Sequence, residues 1–482
     1  MAKIVFIQQD SLFEHFGTEY LSSFLKQNGH EVDMIIENRK KKLVELVRKS
    51  NPDLVAFSCT TGIHLWAIDI ARMLREELGI LNIFGGPHPT FSPEMIDTPG
   101  VDIIARGEGE HALLELANCI DGDRDITNIK NLWVKKDGVV HKNPLRPLIQ
   151  NLDELPFPDR ELYSRYDNLK KLTAKKFITG RGCPYSCSFC FNRTLREMYK
   201  GKGKYVRRRS VDNVIAEIKT VKENYNLEVV RFSDDTFTFD HKWLFEFCKR
   251  YKEEIKVPYE CLIRADEVNE QVIKNLKQSG CVYVQFGIES GNERIRKEIL
   301  NKHITDEQII NTGRLLKKYG IAFGANNMVG LPTETINDIY KTMELNSLIK
   351  VDIPIGSILQ PFPKTKILSY IQEHDLIEDG VDINTLNDDL FSNWDINISV
   401  IKSDCKNEMF NLHKFFYVYV KYPVLRPIIR KIVKLPPNHL FNLMYRMSWV
   451  PRVRGTLRIS YIDTLKYAIM LLRNVMMSNR RS

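Results

Sequence analysis

The chain has 482 residues, 43% hydrophobic and 27% charged. That is a globular balance which excludes wholesale disorder and leaves room for about three domains at roughly 150 residues each. The net charge of +9 is uneven: Ile401 to Ser482 carries 16 Lys and Arg against 3 Asp and Glu, while the first 400 residues carry 54 against 58. Basicity belongs to one end, which weakens a nucleic-acid-binding reading of the whole chain.

The opening Met1–Gln9 meets Asp10 too soon for the apolar core of a secretory signal, and reads as a buried first strand. No stretch approaches the roughly 18 apolar residues of a spanning helix. Nine cysteines are too sparse for a disulfide scaffold, so a reducing, cytoplasmic setting is expected. Six of them (Cys59, Cys119, Cys248, Cys261, Cys281, Cys405) are scattered and read as small buried hydrophobes.

Strand-like runs at Lys3–Gln8, His30–Ile36, Leu54–Cys59, Asn82–Gly86 and Asp102–Gly107 alternate with amphipathic stretches such as Glu19–Lys26 and Leu65–Leu78. This predicts a doubly wound parallel sheet, whose ligands lie beyond the carboxyl ends of the strands. Small and turn-forming residues stand there: Ser58-Cys59-Thr60-Thr61-Gly62, Gly85-Gly86-Pro87-His88-Pro89 and Arg106-Gly107-Glu108-Gly109-Glu110. A plain αβ domain also needs turn glycines, so the pattern by itself leaves ligand binding open.

Ser58-x-Thr60 followed by Gly85-Gly86, with Gly17 opening the first helix, resembles the cobalamin-binding domain. The resemblance implies that Ser58, Thr60, Gly85, Gly86 and Gly107 make room for the corrinoid and its nucleotide tail. Relatives that coordinate cobalt through the domain carry Asp-x-His-x-x-Gly. Here Phe13-Glu14-His15-Phe16-Gly17 lacks the Asp and is one residue short before Gly17. The pattern therefore resembles the subgroup that holds cobalamin base-off with no histidine in its place.

Ile129–Lys142, with Lys136-Asp137-Gly138 at its centre, predicts a hairpin connector. The proline-punctuated, acidic Leu152–Asp159 predicts a linker. The expected organisation is a cobalamin domain over residues 1–150, a linker over 151–172, a second α/β domain over 173–370 and a basic, mainly helical region over 371–482.

A strand-like Lys176–Thr179 runs into Gly180-Arg181-Gly182-Cys183-Pro184-Tyr185-Ser186-Cys187-Ser188-Phe189-Cys190. Three thiolates at Cys-x3-Cys-x2-Cys spacing suit one metal centre. Structural zinc wants four ligands, whereas an iron–sulfur cluster with three thiolates leaves one iron open to an exchangeable ligand. Zinc and merely buried cysteines remain the alternatives on spacing alone.

The spacing, with an aromatic before the last Cys, resembles the radical S-adenosylmethionine superfamily. By that resemblance Cys183, Cys187 and Cys190 hold a 4Fe–4S cluster, and Phe189 lies by the adenine of S-adenosylmethionine. Five further strand-like runs follow (Val229–Asp235, Tyr259–Ala265, Tyr283–Glu289, Ala322–Gly330, Ile353–Gln360) with helical segments between them, predicting a partial (βα)6 barrel with its site on the carboxyl-end face. The same resemblance puts Asp234 and Asp235 near the methionine amino group, Arg264 at its carboxylate and Glu289 at the ribose. It puts Gly330 and the Gln360-Pro361-Phe362-Pro363 segment along the site wall. Lys364 stands where relatives commonly show Gly.

The two resemblances together describe the cobalamin-dependent branch of the superfamily. They imply a methyltransferase acting on an unactivated carbon or phosphorus of a small, conceivably lipidic, molecule, with a flavodoxin- or ferredoxin-type electron donor. Ring contraction or oxidative cyclisation without methyl transfer is the alternative; a corrinoid sensor or carrier without turnover is another class. RNA methylthio-transfer fits poorly, because only Cys59 and Cys119 precede the cysteine loop.

After Lys364 the strand pattern stops. Ile371–Trp394 reads as acidic and loop-like. Asn407–Val420, Val424–Lys434, Asn438–Met447 and Tyr461–Met477 read as helices punctuated by Pro423, Pro427, Pro436, Pro437 and Pro451. Packing as a lid on the barrel or peripheral contact with an anionic membrane would each suit them; nucleic acid would not.

Overall fold

The computed structural model describes residues 1–9, 14–379, 381 and 399–457, with backbone only from 449. The first sheet has the strand order β2-β1-β3-β4-β5-β6-β7. Its parallel part is β1 (Lys3–Gln8), β2 (Glu31–Ile36), β3 (Leu54–Ser58), β4 (Leu81–Gly85) and β5 (Ile103–Ala105). All but the edge strand β2 are buried on both faces, which is why they read as largely apolar runs rather than as an alternation. Helices cover the two faces and two separate apolar cores fill the layers.

The predicted hairpin is present as β6 (Leu132–Lys136) and β7 (Val139–Lys142), turning at Asp137 and Gly138, both with positive φ. It is more than a connector. β6 pairs antiparallel with β5 and extends the sheet to seven strands, because Leu132 and Val134 supply an inward apolar face. The linker is also packed: Leu162, Tyr163 and Leu169 join the core of the first sheet. Within it, the Tyr163 hydroxyl donates to Gln8 Oε1 at 2.7 Å and so braces the end of β1.

The second sheet is six parallel strands in sequential order: β8 (Ala174–Phe177), then, past the two-residue ribbon β9 (Gly180–Arg181) and β10 (Arg207–Arg208), β11 (Val229–Phe232), β12 (Tyr259–Leu262), β13 (Cys281–Glu289), β14 (Ala322–Val329) and β15 (Ile353–Ile358). This is the expected partial barrel. Most of these strands stop two or three residues before the predicted ends, where the polar strand-end motifs begin. Helix starts follow their caps: Ser210, Asp240 and Asn269 accept from the third residue beyond them, and Thr305 and Thr335 form reciprocal capping boxes.

The tail belongs to the barrel. Helix Lys406–Lys421 buries Phe410, Leu412, Phe415, Phe416 and Tyr419 in the main core, and His413 Nε2 lies 3.0 Å from the Gly356 carbonyl of β15. Pro427 sits in the first turn of helix Arg426–Ile432, where its missing N–H costs nothing. Pro451 does not punctuate: helix His439–Leu457 runs through it. Ile371 lies in helix Lys366–Glu373 rather than in a loop. Among the scattered cysteines, Cys405 is exposed and the other five are buried. The helix expected at Tyr461–Met477 lies outside the described residues.

Candidate functional site

In an open sheet of order 2-1-3-4-5, the crevice forms at the switch point between β1 and β3. A cavity of ≈ 140 Å³ lies there, lined by Gln8 and Gln9 at the end of β1, Ser58 and Cys59 at the end of β3, and His15, Ile63 and Trp66. His15 is partly buried, and burial, then Lys176, lowers its pKa, so it is neutral at pH 7. Ser58 pairs across to Gly85, and Thr60 is exposed at the rim.

Gly86 has φ +99°, and a Cβ there would stand 2.9 Å from the Cys59 carbonyl oxygen. Only glycine permits this closeness of backbones. Gly107 is different: the place of its Cβ is taken by the Tyr199 hydroxyl, to which the Glu108 N–H donates at 3.2 Å. The missing side chain at Gly107 thus admits a side chain from the second domain.

The His64 and His88 rings stack with centroids 3.7 Å apart, and His88 Nδ1 lies 3.1 Å from Thr61 Oγ1. Burial pushes both pKa values down, to about 4 and about 3, so this pair is neutral at pH 7. Sequence reading missed it, although both residues follow strand ends already marked as ligand-facing.

The cysteine loop is pinned by the protein itself. Ser188 donates from N to Leu300 O at 2.9 Å and from Oγ to Ile299 O at 2.6 Å, while its own carbonyl accepts from Ile367 N at 3.0 Å. Arg196 donates to the carbonyls of Pro184 and Tyr185 at 3.0 and 2.6 Å. Cys183 and Cys187 are buried, and Cys190 caps helix Phe191–Met198. Burial pushes the Cys183 thiol up to about 12 and raises Cys190 as well.

N–H donors stand by two of the sulfurs. Asn192 Nδ2 lies 3.6 Å from Cys190 Sγ, and Arg264 Nη1 lies 3.6 Å from Cys187 Sγ. Buried thiols with cationic or amide donors beside them suit thiolates held by a metal, which repays their desolvation. Among the described residues no three His, Cys, Asp or Glu side chains gather as a single-ion site. Three thiols leave a closed zinc site one ligand short, so the donor set fits an iron–sulfur cluster better.

Of the strand-end residues, Arg264 reaches the cysteine loop directly, while Asp234 and Glu289 are engaged by neighbouring side chains. Asp234 faces inward: its carboxylate accepts from Thr179 N at 2.9 Å and Thr179 Oγ1 at 2.7 Å, and burial raises its pKa to about 6. Asp235 is exposed, and desolvation by the residues around it, opposed by Asn192, raises its pKa. Arg264 forms a fork with Asp266 at 3.0 and 2.9 Å and lies 3.4 Å over the Tyr185 ring. Glu289 accepts from Lys302 Nζ at 2.8 Å, a buried ion pair the sequence did not reveal.

Gly330 N donates to the partly buried Glu334 at 2.7 Å, and Phe189 packs on the small core containing Leu300 and Leu331. Lys364 has φ +62°, a backbone that favours the glycine it replaces. Glu289 and Ser290 are followed by a single π turn, Ile295–Ile299, whose fully buried Arg296 donates to Ser290 O at 2.7 Å.

The two halves meet here. Phe91, just beyond β4, stacks on Phe191, the residue after Cys190, at 4.1 Å, and Phe191 contacts Phe362 at 5.3 Å. Glu108 Oε1 accepts from Arg181 at 3.0 Å and Arg207 at 2.8 Å, and Glu110 accepts from Arg181 at 2.5 Å.

A doubly wound sheet whose ligand crevice is joined to a three-cysteine barrel mouth defines a two-cofactor enzyme class. The chain matches the B12 binding domain over residues 2–117 and the Radical SAM superfamily over residues 177–345. An uncharacterized methyltransferase of Pyrococcus horikoshii is 32% identical over 372 residues, covering 75% of this chain and 79% of that protein. The chain belongs to the cobalamin-dependent radical S-adenosylmethionine enzymes.

The anaerobic magnesium-protoporphyrin IX monomethyl ester cyclase of Rubrivivax gelatinosus is 27% identical, over 71% of this chain and 64% of the relative. The fold is shared with TsrM of Kitasatospora setae, a radical S-adenosylmethionine methyltransferase solved with cobalamin and a 4Fe–4S cluster. That match has a TM-score of 0.65 at 16% identity and covers 78% of each chain.

Proposed function

We propose that this enzyme is a methyltransferase acting on an unactivated carbon or phosphorus of a small molecule. When bound, the cluster with S-adenosylmethionine supplies a radical that removes a hydrogen atom, and cobalamin supplies a methyl group. The observation that carries the reading is the Phe91–Phe191 stack, which sets the short helix after β4 beside the residue that follows the last cysteine. A substrate in that cleft would touch both cofactor faces. The methyltransferase named at 32% identity supports methyl transfer over the cyclase named at 27%.

In this reading residues 1–150 hold cobalamin. Gly85 and Gly86 leave its flat ring close to backbone, Ser58 and Thr60 line its tail pocket, and Gly107 shapes the adjoining turn. Residues 173–370 hold the cluster through Cys183, Cys187 and Cys190. Asp235 is the open carboxylate for the methionine ammonium, with Asp234 positioning it from below. Arg264 offers its guanidinium to the carboxylate, with Asp266 fixing its plane. Glu289 reaches the ribose once Lys302 yields or shares it, and Phe189 and Gly330 bound the adenine. The fork and the aromatic stacks orient and exclude water, which leaves the radical few side reactions. The electron comes from a flavodoxin- or ferredoxin-type donor.

The test is co-product analysis of the reconstituted full-length enzyme with S-adenosylmethionine, reductant and a small-molecule extract of the source cells. Adenosylhomocysteine and 5′-deoxyadenosine formed together are expected. Substrate-dependent 5′-deoxyadenosine without adenosylhomocysteine supports cyclisation or rearrangement instead.

A further inference from the structure

The tail carries a surface that the cofactor cleft does not explain. Helix His439–Leu457 turns Phe441, Tyr445 and Ser448 inward. Its other stripe, Leu440, Leu443 and Met447 at i, i+3 and i+7, is 62, 45 and 63% exposed. Val424 and Ile428, on the preceding turn and helix, are 81 and 57% exposed. Singly exposed apolar residues are ordinary, but three exposed at i, i+3 and i+7 along one helix mark an interaction face.

Its charge says what kind. From Met409 to Ile462 the sequence has no Asp or Glu, and Lys431 and Lys434, in the segment just before the helix, stand exposed. A second copy would set two such faces together, cation against cation. The chain beyond Leu457 brings five Lys and Arg with one Asp, so it offers the lysines no charge complement either. Among the described residues no helix is long and apolar enough to cross a membrane, and helix Lys406–Lys421 holds the tail in the barrel core.

We propose that this face is a peripheral docking surface for an anionic lipid bilayer. The apolar stripe sinks to the headgroup boundary and the lysines meet lipid phosphates. The inference stands apart from the reaction proposed above.

Flotation of the full-length, cofactor-loaded enzyme with phosphatidylcholine vesicles, with and without phosphatidylglycerol, tests it. Binding to the anionic vesicles alone, released as salt is raised, is expected. Lys431→Glu with Lys434→Glu should weaken partitioning at least about twenty-five-fold, from roughly fivefold per lysine. Leu443→Ser with Met447→Ser should weaken it as well. Both pairs lie at exposed positions, so thermal unfolding should not move. The proposal is overturned if the wild type stays with the aqueous phase or binds neutral and anionic vesicles alike. It is equally overturned if the enzyme self-associates through this face, so that Leu443→Glu disperses a dimer that does not float.

Discussion

Arg181, two residues before the first cysteine of the cluster loop, donates to Glu108 at 3.0 Å across the boundary between the two α/β units. The same guanidinium reaches Glu110, and Glu108 also receives Arg207. Burial alone would raise the Glu110 carboxyl, yet Arg181 pulls it below the usual carboxylate range, so attraction exceeds desolvation. The turn after β5 and the approach to Cys183 are thereby one rigid piece.

Removing that cation should therefore be felt in both stability and turnover. Arg181→Met leaves Glu110 buried without its partner. A loss of about 2 kcal/mol is expected, less than the 3–5 kcal/mol of a fully buried pair because Arg181 is partly solvated. Urea unfolding reads the first effect and 5′-deoxyadenosine formation per intact cluster the second. Unchanged values for both would remove the latch from this account.

Gly86→Ala places a methyl group against the Cys59 carbonyl at 2.9 Å in a left-handed backbone. Cobalamin affinity should drop at least about tenfold, the equivalent of roughly 1.4 kcal/mol, as read by spectral titration with hydroxocobalamin. Gly138→Ala, also at positive φ but with nothing within 4 Å, serves as the control for backbone strain alone.

Glu19 is buried where the units meet. Burial raises its carboxyl to about 8, Arg160 opposing and Glu14 adding to the rise. The folded chain thus keeps a proton that the unfolded chain releases near pH 4.5. This contribution favours folding most at or below that pH, declines as pH rises, and levels off above about 8. Glu19→Gln should flatten the decline and raise stability at pH 8 by about 1–3 kcal/mol, measured by unfolding at a series of pH values. A steeper decline in the variant would reverse the sign of the argument.

Much of this was legible in the chain because periodicity and strand-end chemistry are local. The helix Val211–Asn224 and the turn at Asp137-Gly138 have the predicted bounds, and the six barrel strands take their predicted order. The cysteine loop was legible for the same reason, since its three thiols lie within eight residues. What the sequence hid is pairing at a distance. Nothing local marks Lys302 as the partner of Glu289, Arg181 as the partner of Glu108, or Tyr199 as the occupant of the space at Gly107. The tail shows the same limit: its apolar helices suited a lid packed on the barrel, as Phe415 and Phe416 in the core bear out, but no local signal told which strand they would meet.

The cysteines separate by function. Cys183→Ala, Cys187→Ala or Cys190→Ala should each lose the iron–sulfur absorption and S-adenosylmethionine cleavage. Cys405→Ser, at an exposed position, should keep both. Iron and sulfide analysis of purified protein decides it. Retention of a full cluster by any of the first three would mean that the ligand set is wrong.

The central claim is that one cleft joins the two cofactors for methyl transfer. It is tested most directly by a reaction of the intact enzyme with methyl-deuterated S-adenosylmethionine, reductant and cell extract, followed by mass analysis. The account predicts a deuterated methyl group in a single small-molecule product, with one adenosylhomocysteine and one 5′-deoxyadenosine for each. A product that gains no label while 5′-deoxyadenosine accumulates in step with it would contradict it.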